Sequence, residues 1–170
     1  MNDNTILTRI YHSPCGNLIL GSYNGMLCLC NWVNELHPGR VERRLKKMTG
    51  AVFGEGTDII TEKAFRELDE YFRKERKTFD IPLLPIGSDF QKSVWDILSE
   101  IPFGKTVSYR DVALHAGRPE AVRAIANAIG ANPLSIFIPC HRVIGSDSAI
   151  TGYGGGTRAK MNLLKIEEAL

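Results

Sequence analysis

Paired cysteines, long apolar runs and a strong net charge are all missing from this 170-residue sequence. Its four cysteines, Cys15, Cys28, Cys30 and Cys140, form no C-x-x-C pair and no spaced Cys/His set, so neither a zinc site nor a disulfide framework is expected. Cys28 and Cys30 share one face of an expected strand and read as structural filler. No apolar run approaches the roughly 20 residues of a membrane span. Met1-Asn2-Asp3-Asn4 shows no basic segment leading into an apolar core, so no export signal is expected. A soluble, cytoplasmic protein of a reducing compartment follows, with no membrane partner. The net charge of +2 indicates little about partners, and 44% hydrophobic with 24% charged residues is globular composition. The length suits one ordinary domain or two small ones.

One local bias stands out. Between Gly104 and Ser146, five basic residues (Lys105, Arg110, Arg118, Arg123, Arg142) face two acidic ones (Asp111, Glu120), a modest footprint for a polyanion.

The stretch that organises the rest is Ile138-Pro139-Cys140-His141-Arg142-Val143. Leu134 to Ile138 reads as a buried strand that Pro139 ends, because proline fixes its own φ and has no N–H for a ladder. A thiol on such a turn is a candidate nucleophile, and only its thiolate reacts. His141 can supply a base and Arg142 a fixed positive charge. A buried structural cysteine beside a satisfied histidine is equally open on these residues alone. On an extended strand, Cys140 and His141 would point to opposite faces, so a water or a turn must link them.

Elsewhere the first third reads as a small antiparallel sheet, Thr5 to His12, Leu18 to Ser22 and Met26 to Val33, with a hairpin at Asn24-Gly25. Pro38 to Met48 makes a basic helix ended by Gly50, whose charges read as a solvated face. Ala51 to Thr57 reads as loop. Ala64, Phe65, Leu68, Tyr71 and Phe72 mark an amphipathic helix, and Phe79 to Ile86 an edge strand or extended connector. A domain boundary is placed at Ile86-Gly87, giving units 1–86 and 87–170. Ser88 and Gln91 form a capping box for a helix that ends before Pro102. Ser108 caps a short helix to Ala116, Gly117 turns the chain, and Pro119 starts a second helix to Gly130. That is a helix-turn-helix pattern. Glu120, Arg123 and Asn127 face outward on its second helix, with one arginine among small residues. The loop Gly152 to Gly156 opens a final helix, Thr157 to Ala169. It lacks a dinucleotide fingerprint.

These motifs together resemble the O6-alkylguanine-DNA alkyltransferases, also called methylated-DNA–protein-cysteine methyltransferases. The resemblance rests on Thr106-Val107-Ser108-Tyr109, Ala121-Val122-Arg123-Ala124, Asn132-Pro133, the Cys140 run, Gly152-Tyr153-Gly154-Gly155-Gly156 and Lys160 to Glu167. It implies an α+β fold: a small antiparallel sheet with helices, ribonuclease H-like, then a mostly helical, winged-helix-like domain. It implies that Cys140 accepts the alkyl group, that His141 deprotonates it through a water, that Glu167 orients the histidine and that Tyr109 protonates the leaving base. Arg123 would fill the gap left by a flipped nucleotide. Thr106, Ser108, Tyr109, Ala121, Ala124, Ala126 and Asn127 would contact the minor groove. Asn132, Val143, Tyr153, Gly154 and Gly155 would form the base pocket. The implied substrate is double-stranded DNA containing O6-alkylguanine, or O4-alkylthymine, met by a monomer without cofactor or metal. Ala126 and Asn127 stand where some members have glycines. A Cys-His hydrolase would need the base in direct reach of the thiol, and a purely DNA-binding regulator would have no use for Pro139-Cys140-His141-Arg142.

Overall fold

The computed structural model describes residues 4–170; the reading of Met1, Asn2 and Asp3 as free of an export signal lies outside them. Strands β1 (Thr5–Ser13), β2 (Gly16–Tyr23) and β3 (Met26–Trp32) form an antiparallel meander. Asn24 and Gly25 turn its second hairpin with φ of +52° and +76°, the left-handed pair that Asn-Gly tolerates. The sheet is mixed rather than purely antiparallel. Helix α1 (Arg40–Thr49) carries the chain across, and β4 (Val52–Glu55) pairs parallel to β1, giving the order β3-β2-β1-β4. The segment expected as loop is therefore a strand. Four residues are too few to show a period, and the open edge of β1 recruits them through Thr5 to Thr8.

Helix α2 (Ile59–Phe72) begins before its apolar stripe because Asp58 caps the Thr61 N–H while the Thr61 hydroxyl takes the Asp58 N–H. Its Ala64, Leu68 and Tyr71 are buried against the sheet. Residues 79–86 run extended along the free edge of β3, where Leu27 bonds Pro82 O and the Leu84 N–H.

Helix α3 (Asp89–Ser99) carries the Ser88/Gln91 capping box that its spacing demands. The helix-turn-helix consists of α4 (Tyr109–His115) and α5 (Val122–Gly130), with Gly117 at φ +72° between them. Pro119 does not open α5. It sits in a turn closed by Ala121 N–H to Arg118 O, and Ala121 at φ −105°, ψ 35° is still outside the helix. Short β5 (Val107–Ser108) and β6 (Val143–Ile144) pair in parallel. Helix α6 (Thr157–Ile166) ends earlier than expected because Glu168 turns left-handed, at φ +57°.

One apolar core joins Leu18, Leu20, Leu27 and Trp32 of the sheet with α2, α3, α5 and Ile136 to Ile138. It runs across the expected boundary near Ile86-Gly87. No described helix is long and apolar enough to cross a membrane.

Candidate active site

The segment before Cys140 is not a strand. Ser135 and Ile138 bridge across a tight turn in which Ile136 takes φ +74°, a conformation that costs a β-branched residue on the order of 1–3 kcal/mol. Asn132 holds that turn, accepting from the Leu134 N–H at 2.9 Å and donating to Ile138 O at 2.9 Å. Pro139 then leads into a 3-10 turn, Cys140–Arg142, closed by the Val143 N–H on Cys140 O. Successive side chains on such a turn diverge by about 120° instead of alternating, so thiol, imidazole and guanidinium all point into buried space. The turn removes the opposed-face arrangement that a strand would impose on Cys140 and His141.

Glu167, the residue that ends α6, is 2% exposed and accepts from five donors. They are His141 Nε2 at 2.6 Å, Arg142 Nε at 2.8 Å and Nη2 at 3.1 Å, the Tyr71 hydroxyl at 2.6 Å and the Gly104 N–H at 3.3 Å. Burial alone would raise its pKa, but the hydrogen bonds from His141, Arg142 and Tyr71 hold the carboxyl well below the usual carboxylate range. An ionised carboxylate only accepts, so His141 must donate through Nε2. Its Nδ1 therefore carries the lone pair, and that atom is buried with no hydrogen-bond partner among the described residues. Burial pushes the His141 pKa down despite Glu167, which keeps the ring neutral and able to take a proton.

The expected positive charge beside the thiol is misassigned in one respect. Arg142 is spent on Glu167 and on Ile101 O at 2.6 Å, and it is buried, so it also drops out of the surface charge of its segment. The cation that acts on the thiol is Lys160. This lysine of α6 is 1% exposed, donates to Thr151 O at 2.9 Å and has no carboxylate partner among the described residues. Burial lowers its pKa to about 8, with the Cys140 charge opposing. Burial raises the Cys140 pKa, while the Asn132 amide, 3.1 Å from Sγ, and Lys160 favour the thiolate.

Cys140 lines a cleft with Asn132, Tyr153, Gly152 and Gly154 on one side and Asn31, Glu35, His37 and Arg40 on the other. Tyr153 is fixed by the Trp32 indole N–H, 3.0 Å from its hydroxyl oxygen. A second cleft shares His37, Arg40, Gly130, Gly152 and Gly154 and continues past Tyr109 to Ala126 and Asn127 of α5. The thiol is thereby connected to the helix-turn-helix. The Tyr109 hydroxyl donates to Thr151 O at 3.1 Å, the same carbonyl that Lys160 holds. Gly155 faces the Trp32 ring, which a Cβ there would meet at 2.7 Å, and is not among the residues lining the cleft. Val143 is fully buried, with its N–H used by the turn.

On α5, Arg123, Ala124 and Asn127 are exposed, Ala126 is half-buried, and Ala121 lies just before the helix. The Ser108 hydroxyl oxygen accepts the Asp111 N–H at 3.0 Å, which leaves its hydrogen free to donate to an outside acceptor. Thr106 is half-buried just before β5. Sequence reasoning missed Lys160 as a cation near the thiol, and it missed the whole wall from Asn31 to Arg40. No local pattern marks that wall, which reaches the site only through packing of the two halves. Among the described residues no group of three or more His, Cys, Asp or Glu side chains is placed to hold a metal ion.

Family models match both halves: 6-O-methylguanine DNA methyltransferase, ribonuclease-like domain, over residues 6–85, and its DNA binding domain over residues 89–169. The chain belongs to the 6-O-methylguanine DNA methyltransferase family. A methylated-DNA–protein-cysteine methyltransferase of Methanosarcina acetivorans is 49% identical over 159 residues, covering 93% of this chain and 96% of that protein. One of Mycobacterium bovis is 46% identical over 162 residues, covering 95% and 92%. Among solved structures, the O6-methylguanine methyltransferase of Mycobacterium tuberculosis superposes with a TM-score of 0.80 at 35% identity, covering 96% and 93% of the two chains. The OGT of that organism in complex with DNA gives 0.80 at 35%, covering 97% and 93%. The N-terminal half, which contributed none of the motifs given for the resemblance, is thus matched as well.

Proposed function

We propose that this protein repairs DNA by moving an alkyl group from O6 of guanine onto Cys140, once per chain. The observation that carries the reading is the lone pair of His141 Nδ1, fixed by ionised Glu167 through Nε2, in the turn that places Cys140 on a cleft leading to α5. The thiol proton passes through a water to Nδ1 and the sulfur attacks the alkyl carbon. The C–O6 bond breaks with its electrons going to guanine, and the Tyr109 hydroxyl supplies the proton that the leaving base needs. The protons exchange with solvent afterwards.

The reacting carbon is out of reach in a stacked duplex, so the base must be extruded at a cost of a few kcal/mol, least for a poorly paired one. The minor-groove side of α5 presents small residues for close approach, with Arg123 to occupy the gap. O4-alkylthymine offers the same chemistry at a smaller base. The thioether has no leaving group, and His141 and Glu167 activate only a thiol. The assignment includes a division at residues 1–86 and 87–170, a monomer acting on double-stranded DNA, no cofactor, and a cytoplasmic location.

The test is stoichiometry. Incubated with a duplex carrying one O6-methylguanine, the protein should gain one methyl mass per chain and stop, with peptide mapping placing it on Cys140. Turnover beyond one equivalent, or an unmodified Cys140 after repair, would exclude the reading.

A further inference from the structure

Arg40 opens α1 at the point where three clefts meet. The first leads to Cys140, the second runs past Tyr109 and Gly152 to Asn127, and the third lies over Ala124, Asn127 and Ala131. Arg40 is half-buried, and its Nη2 donates to Gly130 O at 2.5 Å while its Nε has no partner among the described residues. One turn on, Arg44 is used up: it donates to Ala131 O at 2.6 Å and Ile86 O at 3.1 Å and lies over Trp95. Both arginines thus sit at the carbonyl end of α5, where cations are favoured. A guanidinium has five N–H donors, and Gly130 O takes only one from Arg40. His37 is exposed on the same rim. The carboxylate of this loop, Glu35, is turned toward Asn31 Nδ2 and the Gly39 N–H, and Glu42 also accepts from Asn31. Helix α1 starts here without a side-chain cap, and although the Arg40 N–H bonds His37 O and Glu42 stands in the first turn, the positive end of its dipole lies at this rim.

The opposite wall has the complementary deficit. The outward face of α5 carries Arg123 amid alanines and Asn127, which permits close approach but leaves few contacts to phosphate. The clefts that run from Asn127 past Gly130 and Arg40 to Cys140 are the approach to the thiol between α5 and the rim of α1.

We propose that His37, Arg40 and the start of α1 form a phosphate-contact surface for the DNA strand that carries the extruded nucleotide, so that the N-terminal half helps to hold the substrate. The inference rests on the repair reading above and adds a second, non-helix-turn-helix surface to it. Positively charged contacts of this kind are independent of sequence and show in the salt dependence, where each phosphate contact contributes a slope of about 0.9 in log K against log salt.

The experiment measures binding of a duplex with one O6-methylguanine over a range of KCl, with Cys140→Ser in every protein to prevent reaction. Arg40→Gln should flatten the slope by about 0.9 and weaken binding severalfold at low salt, and Arg40→Lys should keep the slope. His37→Glu, at an exposed position, should weaken binding by adding repulsion. In proteins that retain Cys140, the loss with Arg40→Gln should be much larger for duplex than for free O6-methylguanine. An unchanged slope with Arg40→Gln would overturn the surface, as would failure of Arg40→Lys to restore it, which would make Arg40 only an anchor for Gly130. If Arg40→Gln does not fold, His37→Glu decides, and unchanged duplex binding there overturns the proposal. Loss of methyl transfer from free base in the unsubstituted protein would instead count against Cys140 chemistry and leave this surface unaffected.

Discussion

The Glu167 cluster, which draws Tyr71 from the first half of the chain, and the outward face of α5 follow opposite principles. Around Glu167 every polar side-chain atom but His141 Nδ1 is engaged among the described residues, with the carboxylate surrounded by five donors from three segments. The face of α5 is nearly bare, with one long cation among small side chains. The first arrangement fixes a tautomer before substrate arrives, and a base held in place needs no reorganisation at the moment of reaction. The second can specify little by itself. It offers shape and access rather than specific contacts.

The comparison breaks most visibly at Glu167. Glu167→Gln leaves Arg142 as a buried charge without its partner and allows the amide to donate where only acceptance is tolerated. A loss of about 3–5 kcal/mol is expected by urea denaturation. Methyl transfer should fall by at least about a hundredfold through loss of the oriented base. Retention of both would mean that the cluster is not preorganising His141. On the α5 side, Arg123→Ala should leave the melting temperature nearly unchanged. It should slow repair of duplex by about tenfold or more relative to free O6-methylguanine, because only the duplex requires an extruded state. Equal slowing of both substrates would remove that role from Arg123.

The pH profile sharpens the buried side. The His141 pKa is depressed in the folded protein, so the neutral base persists below pH 6.5 and the acid limb of alkyl transfer should lie under that value. Stability follows the same sign. Unfolded chains take up the histidine proton near 6.5 and the folded site resists it, so this contribution is lost as pH falls below that point; Glu167, also depressed, adds its loss at lower pH. An acid limb above 6.5 would contradict the neutral, buried ring. Lys160→Met should move the thiol titration, followed by thiolate absorbance, upward without lowering the melting temperature, because a buried ammonium without a carboxylate is a burden to the fold. The smallest effect is expected at Ala126→Gly, which should cost about 0.5–1 kcal/mol of helix stability and alter duplex affinity by only two- to threefold.

Legibility in the sequence was uneven for physical reasons. The Ser88/Gln91 box, the Ser108 cap, Gly117 and Asn24-Gly25 are local devices whose effect is complete within a few residues, and each element they announce is where it was expected. Segments whose conformation depends on distant partners were misread. Val52 to Glu55 became a strand because β1 had an open edge, and Leu134 to Ile138 became a strained turn because the Asn132 amide bonds it from within. Pro139 was rightly taken as the point where the backbone changes direction, although what precedes it is not a strand.

The sequence alone determined the chemistry available: a thiol, a base, an acid and a tyrosine, set in motifs specific enough to identify their family. It determined the small face of α5 as well, since that depends only on spacing along one helix. Tertiary structure decided which charges serve which atoms. Arg142 is adjacent to Cys140 in the chain and belongs to Glu167 in space, whereas Lys160, twenty positions on, acts on the thiol. It also decided that Arg40 borders the cleft, because no short-range pattern can encode a contact between α1 and the end of α5, which are separated by about ninety residues and meet only when the two halves close over one core.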